Sequence, residues 1–410
     1  MSISQNFPSS RPSLNLNFAR SKKLDPRITF TRTSTATYID EDGLVKSVAT
    51  DTPRFDHNPA TGESLGLLIE ESRTNLITYS EQFNNAAWTN PESGNTITAN
   101  STVAPDGSTN ADLVSNIGQI VSLVQGQATV PASSQTDYYA TIYAKKGTAS
   151  YFTFNCYYNG NGEDNVAFNF DTGAVTSVPY AGEYIFQNVG NGWYRCGFRM
   201  TKDSTGTRTL IVFRFWESGR NLTSGNTYFW GAQLEVGAFP TSYIPTVAST
   251  VTRSADNASM TGTNFSSWYN PSEGSIFAQA APSTNAAYSG YLCSIGSDFN
   301  NSIQIYRQSD YQPVVRIRSS SSDVYGSIGF GAIWTTNAAR KMILTFKTNS
   351  FNSAVSGTVS SDATSGTLPS YSNLIIGSTA TGGAQLNGTI SQLLYYPVRL
   401  SNDQLQTLTK

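Results

Sequence analysis

The densest gathering of chemically capable residues lies in PRFDHNPATGESLGLLIEESRTNL, residues 53–76. It holds the chain's single histidine, His57, directly after Asp56, and an adjacent carboxylate pair, Glu70 and Glu71. Two chemistries come to mind. Glycoside hydrolysis needs two carboxylates on facing strands, roughly 5 to 10 Å apart, one of them with a raised pKa. In an extended segment neighbouring side chains point to opposite faces, so Glu70 and Glu71 cannot form that pair. A Ser-His-Asp set would need His57, yet no GxSxG elbow is read in the chain, and Asp56 beside His57 is adjacency in sequence rather than orientation in space. No catalytic residue is assigned, and the chain is read as non-enzymatic, with a polysaccharide depolymerase as the rival reading.

The stretch reads better as a joint. Pro53 and Pro59 restrict the backbone, Asn58-Pro59 and Thr61-Gly62 signal turns, and Leu65, Leu67, Leu68 and Ile69 offer an apolar plug. Arg54, Arg73, Glu70 and Glu71 are candidates for arm-to-body or inter-subunit ion pairs, because a guanidinium fork matches a carboxylate. His57 falls among them and is read as incidental.

Metals and cofactors find little to hold them. One histidine and three scattered cysteines, Cys156, Cys196 and Cys293, cannot supply the four ligands of a usual zinc site, and the cysteines read as small buried hydrophobes in a reducing compartment. GSDFNNS (296–302) and NGNGEDN (159–165) offer loop oxygens but match no defined calcium loop. Neither metal nor cofactor is assigned. A net charge of −2 with 13% charged residues gives no basic field for nucleic acid or anionic lipid. No run of eighteen apolar residues suggests membrane insertion, and MSISQNFPSSRP lacks the apolar stretch of an export signal.

Charge density marks the first boundary. Among 410 residues, 1–80 carry 18 charged side chains and the remaining 330 carry 36. From about residue 85 onward, β-branched and aromatic runs alternate with Gly, Asn, Ser and Asp clusters, an all-β signature. In GWYRCGFRM (192–200), Tyr194, Cys196, Phe198 and Met200 share one face, and Trp193, Arg195 and Arg199 the other, as in a half-buried antiparallel sheet. The pattern breaks near 240–264 and resumes as a second β series. The expected organisation is an N-terminal arm with a few strands (1–80), a jelly-roll sandwich (81–248), a linker (249–269) and a second antiparallel sandwich (270–410). Ser401 and Gln404 predict a capping box for one short C-terminal helix. TFTRTSTATYID (29–40) and TVTRSADNASMTG (250–262) echo each other, either as duplicated joint chemistry or through Thr/Ser bias.

LDPRITFTRTSTATYIDEDG (24–43), the stretch 53–89 that begins PRFDHNPATGES, and GAQLEVGAFPTSYIPTVASTVTRSADNASMTG (231–262) resemble segments of tailed-bacteriophage virion proteins, among them tail fibres, tail-associated adhesins and head fibres. The resemblance covers roughly residues 14–262. It implies a carbohydrate-binding-module-like jelly roll after the arm. Residues 270–408, with EGSIFAQ and LNGTISQLLYYPVRLSNDQLQTL, are similar to concanavalin-A-like or laminin-G-like sandwiches. Together these imply a virion structural protein, a fibre or decoration protein assembled in the host cytoplasm. It would be a homotrimer contacting other capsid or tail proteins and host-surface glycans, or a purely structural component that binds no glycan.

A sugar site needs an aromatic face beside polar groups that bond hydroxyls. The candidates are Trp193 with Arg195 and Arg199, Tyr157 and Tyr158 leading into NGNGED, and Tyr306, Tyr311 and Trp334 in the second sandwich. Trp88, Trp216 and Trp230 read as core or edge-packing residues.

Overall fold

A period-2 pattern buries every second side chain, and it does so here on both sides of two cores. Cys196, Phe198 and Met200 of strand Trp193–Lys202 are buried in the first core together with Phe152, Phe154 and Phe168. The computed structural model describes residues 11–89, 95–116, 122–127, 136–158, 162–176, 184–202, 209–214, 225–328 and 333–410. The fold is all-β, built of antiparallel sandwiches, in agreement with the sequence pattern.

The first sandwich faces a five-stranded sheet against a six-stranded one. The larger sheet runs in the order Tyr184–Asn188, Trp193–Lys202, Thr136–Lys146, Gly225–Val236, Ala111–Asn116, Asn95–Thr102. Ile77, Phe83 and Trp88, from the segment just before it, complete the core between the sheets.

The second sandwich is not made by its own segment alone. Leu14–Asn17 and Ser64–Ile69 both pair with strand Gly388–Tyr396, and Arg54–His57 pairs with Ser64–Ile69. Across the core, Thr29–Thr31 pairs with Asn257–Thr261, which in turn pairs with Asn373–Ile376. Residues read as an arm and as part of a linker thus extend the two sheets of the C-terminal sandwich. Leu14, Leu16, Leu67 and Ile69 lie in its core beside Ile276, Leu344 and Leu393. The physical reason is edge pairing: a sheet edge leaves unpaired N–H and C=O groups, and the N-terminal strands satisfy them. Gly66 permits the approach. Its φ is +102°, and a Cβ there would meet the Ile390 carbonyl oxygen at 2.2 Å.

A hairpin from the same N-terminal region, Ala36–Ile39 with Val45–Val48, lies over the outer face of the six-stranded sheet. Val45, Tyr143, Trp193, Trp230 and Tyr243 form a separate apolar cluster there. The helix Asn402–Thr409 carries the expected capping box: Ser401 Oγ accepts from the Gln404 N–H, and Gln404 returns a bond to the Ser401 N–H.

Candidate functional site

The three N-terminal and central segments converge on a cluster of five buried charges. Arg54 Nη1 donates to Glu70 Oε2 at 2.7 Å and Arg54 Nη2 to Asp256, while Arg32 Nη1 reaches Asp256 Oδ1 at 3.1 Å. Arg253 donates to Glu70 and to the Glu71 carbonyl. Ser242 closes the set, its N–H and hydroxyl each donating to Glu70 at 2.7 Å. Of the five charged side chains four are fully buried and Glu70 is 6% exposed. Burial alone would push the Glu70 carboxyl up, but Arg253, Arg54 and the two bonds from Ser242 outweigh it and hold it well below the usual range. Burial also opposes the Arg54 charge, and Asp256 and Glu70 overcome that penalty.

The echoed segments meet here. Arg32 and Arg253 are their arginines, and Thr33 Oγ1 and Ser254 Oγ share a hydrogen bond of 2.8 Å while the Ser254 N–H donates to Ser34 Oγ. Both echoed segments thus contribute to the joint. Arg73 lies at the rim, paired with Glu71 at 2.6 Å, donating to the Val236 carbonyl, and stacked over the Phe239 ring at 4.7 Å. Glu71 also accepts from Asn387, so Glu70 and Glu71 serve different partners and do not converge.

Beside this cluster lies a cavity of about 380 Å³, bounded by the N-terminal segment and both sandwiches. Asp56, His57 and Glu63 line it from one side, Tyr143, Gln187 and Arg195 from the first sandwich, and Ser283, Asn337 and Ala339 from the second. The register of Arg54–His57 against Ser64–Ile69 shifts between Asp56 and His57. Such a bulge re-aims side chains, and consecutive residues both reach the cavity wall.

The two differ in what satisfies them. Asp56 Oδ1 accepts from the Ile39 N–H at 2.7 Å, yet desolvation first, and the nearby Glu70 charge further, push its carboxyl up to about 7. His57 is 4% exposed; its Nδ1 bonds the Ile39 carbonyl at 3.0 Å and its Nε2 has no partner among the described residues. A carbonyl only accepts, so Nδ1 carries a proton, and in a neutral imidazole Nε2 then presents a lone pair. His57 is therefore a lining residue of a cavity rather than an incidental one.

One pattern went unread in the sequence. Gly62-Glu63-Ser64-Leu65-Gly66 has the spacing of a nucleophile elbow, and Ser64 stands opposite His57 in the hairpin register. An elbow requires a sharp strand-to-helix turn, whereas Ser64 opens a strand. Its Oγ is buried and makes no bond to His57.

The aromatic candidates are mostly enclosed. Trp193 is on the outer face, as its alternation indicates, but the hairpin covers that face: Trp193 is 2% exposed and its Nε1 donates to the Val103 carbonyl at 3.0 Å. Arg195 Nη2 donates to the Thr241 carbonyl at 2.6 Å, and Arg199 pairs with Asp137 at 2.9 Å. Trp334 is fully buried in the second core, its Nε1 donating to the Ala338 carbonyl. Tyr306 stacks on Tyr291 with ring centroids 4.6 Å apart and is 4% exposed. Tyr311 is half-buried, with Arg307 over its ring at 4.7 Å. Trp193, Trp334 and Tyr306 thus offer no open stacking face, because neighbouring segments absent from any local pattern lie on them. Tyr157 and Tyr158 end strand Tyr151–Tyr158, and their side chains lie outside the described residues.

Trp88 and Trp230 are buried, as expected, while Trp216 is outside the described residues. Cys196 and Cys293 are buried free thiols with pKa values raised by burial; the Cys156 side chain is outside the described residues. Asp298, in one of the two acidic loops, accepts from the N–H groups of Asn300 and Asn301 and so shapes its own turn. Much of the other loop lies outside the described residues.

No protein-family model matches the chain, and no curated protein matches it. Among solved structures it is similar to the CBM40 of the Ruminococcus gnavus IT-sialidase bound to alpha2,6 sialyllactose, at 13% identity and a TM-score of 0.32, over 36% of this chain and 88% of that one. It is also similar to the Trypanosoma rangeli sialidase in complex with the inhibitor DANA, at 15% identity and a TM-score of 0.28, over 37% and 25% of the two chains. The heptameric SAP-like pentraxin from Limulus polyphemus gives 13% identity and a TM-score of 0.26, over 34% and 70%. Likeness of this extent carries no argument about ligand or activity.

Proposed function

We propose that the protein is a non-enzymatic structural component of a tailed-phage particle, a fibre or decoration protein that presents two β-sandwiches for contact with host-surface glycans. One observation carries the reading: the three segments that resemble virion proteins each supply members of a single buried ion cluster. Arg32 comes from the first, Arg54 and Glu70 from the second, and Ser242, Arg253 and Asp256 from the third. Those segments build a joint that fixes one sandwich against the other, and fixed modules suit an exposed, load-bearing protein. Homotrimeric assembly belongs to the same reading.

The test is binding of the purified full chain to an array of host polysaccharides, with a reducing-end assay on the same material. Binding without new reducing ends is expected; new reducing ends would overturn the non-enzymatic part. Burial of Trp193, Trp334 and Tyr306 favours a second reading, a purely structural particle component. Absence of binding across the array would decide for it. Localisation of the chain on the particle by electron microscopy tests the virion assignment itself, and density for it on neither capsid nor tail would sink that assignment.

A further inference from the structure

The geometry points to the cavity at the joint as a binding site for a neutral polyhydroxylated ligand about one sugar ring in size. For its ligand class the inference rests on the glycan-contact reading above; for its location it rests on the cavity alone.

Three features of the wall select such a ligand. First, the wall holds a ring nitrogen without a partner among the described residues: His57 is 4% exposed and lines the cavity, and its buried Nε2 is unpaired. A ligand hydroxyl that reaches Nε2 supplies the bond that the protein's own groups do not. Second, Arg195, lining the cavity from the first sandwich, spends Nη2 on the Thr241 carbonyl, and its Nε has no partner among the described residues. A hydroxyl both donates and accepts, and so serves His57 and Arg195 alike. Third, the wall carries both signs of charge rather than one: among the described residues Asp56, Glu63 and Glu70 line it together with Arg195, and Glu70 is neutralised by Arg54 and Arg253, so no uniform field calls for an ionic ligand.

The rest of the lining fits the same class. Asn58, Gln187, Ser283 and Asn337 add uncharged polar groups, while Leu65, Ile185 and Val189 add apolar wall for the C–H side of a ring. Ligand sites commonly measure roughly 300–1,000 Å³. At about 380 Å³ this one suits a single ring better than a chain. Gln187, Ser283, Asn337 and Ala339 are exposed and mark the mouth between the two sandwiches.

The single histidine makes the test direct, since a 15N-histidine-labelled sample of the full chain gives one imidazole spin system. D-glucose, D-galactose and N-acetyl-D-glucosamine are titrated separately at millimolar concentration, with saturation-transfer NMR recorded in parallel. At least one sugar is expected to move the His57 Nε2 resonance. Ser283→Trp, which plugs the mouth from an exposed position, is expected to weaken that response about tenfold or more with an unchanged melting temperature. Ala339→Trp, also exposed, serves as the second plug. A sugar that gives saturation transfer in wild type and both plugged variants alike, with His57 unmoved, would overturn the cavity site while leaving the glycan-contact reading intact. If none of the three sugars moves His57, the cavity site is likewise overturned, whatever the array shows. A moved His57 with a blank array would uphold the cavity and remove the adhesin reading.

Discussion

Two polar regions lie side by side at the joint and differ in saturation. In the ion cluster, Glu70 and Asp256 each receive guanidinium donors, and Glu70 also accepts from Ser242. In the cavity, Asp56 has a single backbone donor from outside its own hairpin and His57 Nε2 has no partner among the described residues. Each set draws on the same hairpin: Arg54 lies three residues before His57, and Glu70 directly follows the return strand Ser64–Ile69. The lesson is that burial by itself does not mark a functional group. A buried charge held by its opposite holds structure together, whereas a buried polar group at a cavity wall with no charged partner can serve a ligand.

The regions should also respond to pH in opposite senses. The folded-state pKa of Glu70 is lowered, so its contribution to stability is present above its ordinary value of 4.5 and is lost as pH falls below that value. That of Asp56 is raised, so its contribution is complete below its ordinary value of 3.8 and is lost as pH rises through about 7.

The sharpest way to break the contrast is to unsaturate the cluster. Arg54→Ala leaves Glu70 and Asp256 short of a partner in a dry setting and should cost about 3–5 kcal/mol in urea unfolding. A loss below 1 kcal/mol would mean that water enters the cluster and that it does not fix the joint. The next largest effect should come from the cavity side. Asp56→Asn keeps an acceptor for the Ile39 N–H but removes the titration, so the variant should match wild type near pH 4 and exceed it above pH 7 by on the order of 2 kcal/mol. Parallel unfolding curves at both pH values would show that Asp56 does not titrate as described.

Ser242→Ala removes one neutral bond to Glu70 while both arginines stay, and should cost about 1 kcal/mol, read as a small drop in melting temperature. Arg73→Ala, at the partly exposed rim, should cost roughly 0.5–1 kcal/mol and leave the His57 resonance in place. A loss as large as that of Arg54→Ala would place Arg73 inside the cluster instead of at its edge.

Much of the fold was legible in local pattern. The alternation in GWYRCGFRM placed Cys196, Phe198 and Met200 inside and Trp193 outside, and the Ser401 and Gln404 spacing placed the C-terminal helix. The site was legible only in part. The sequence singled out the charged stretch 53–76, and Arg54 and Glu70 within it, but not Arg32, Arg253, Asp256 or Ser242. The faint Thr-Arg echo was the one signal pointing to the two further arginines. What was missed was coverage: no local feature of residues 192–200 announces that a hairpin some 150 residues earlier lies over Trp193.

By itself the sequence determined the class of fold, because side-chain period and turn residues act between neighbours in the chain and need no distant partner. It also determined that charge would concentrate before residue 80. Tertiary structure alone decided where those charges went. The ion pair between Arg54 and Asp256 spans 202 residues, and the pairing of Leu14–Asn17 with Gly388–Tyr396 joins the two ends of the described chain. It also decided the fate of the stretch around His57. A one-residue register shift between strands turned Asp56 and His57 toward a shared cavity, and such a shift depends on which backbone the strand meets, a property of the folded sheet and of no single segment.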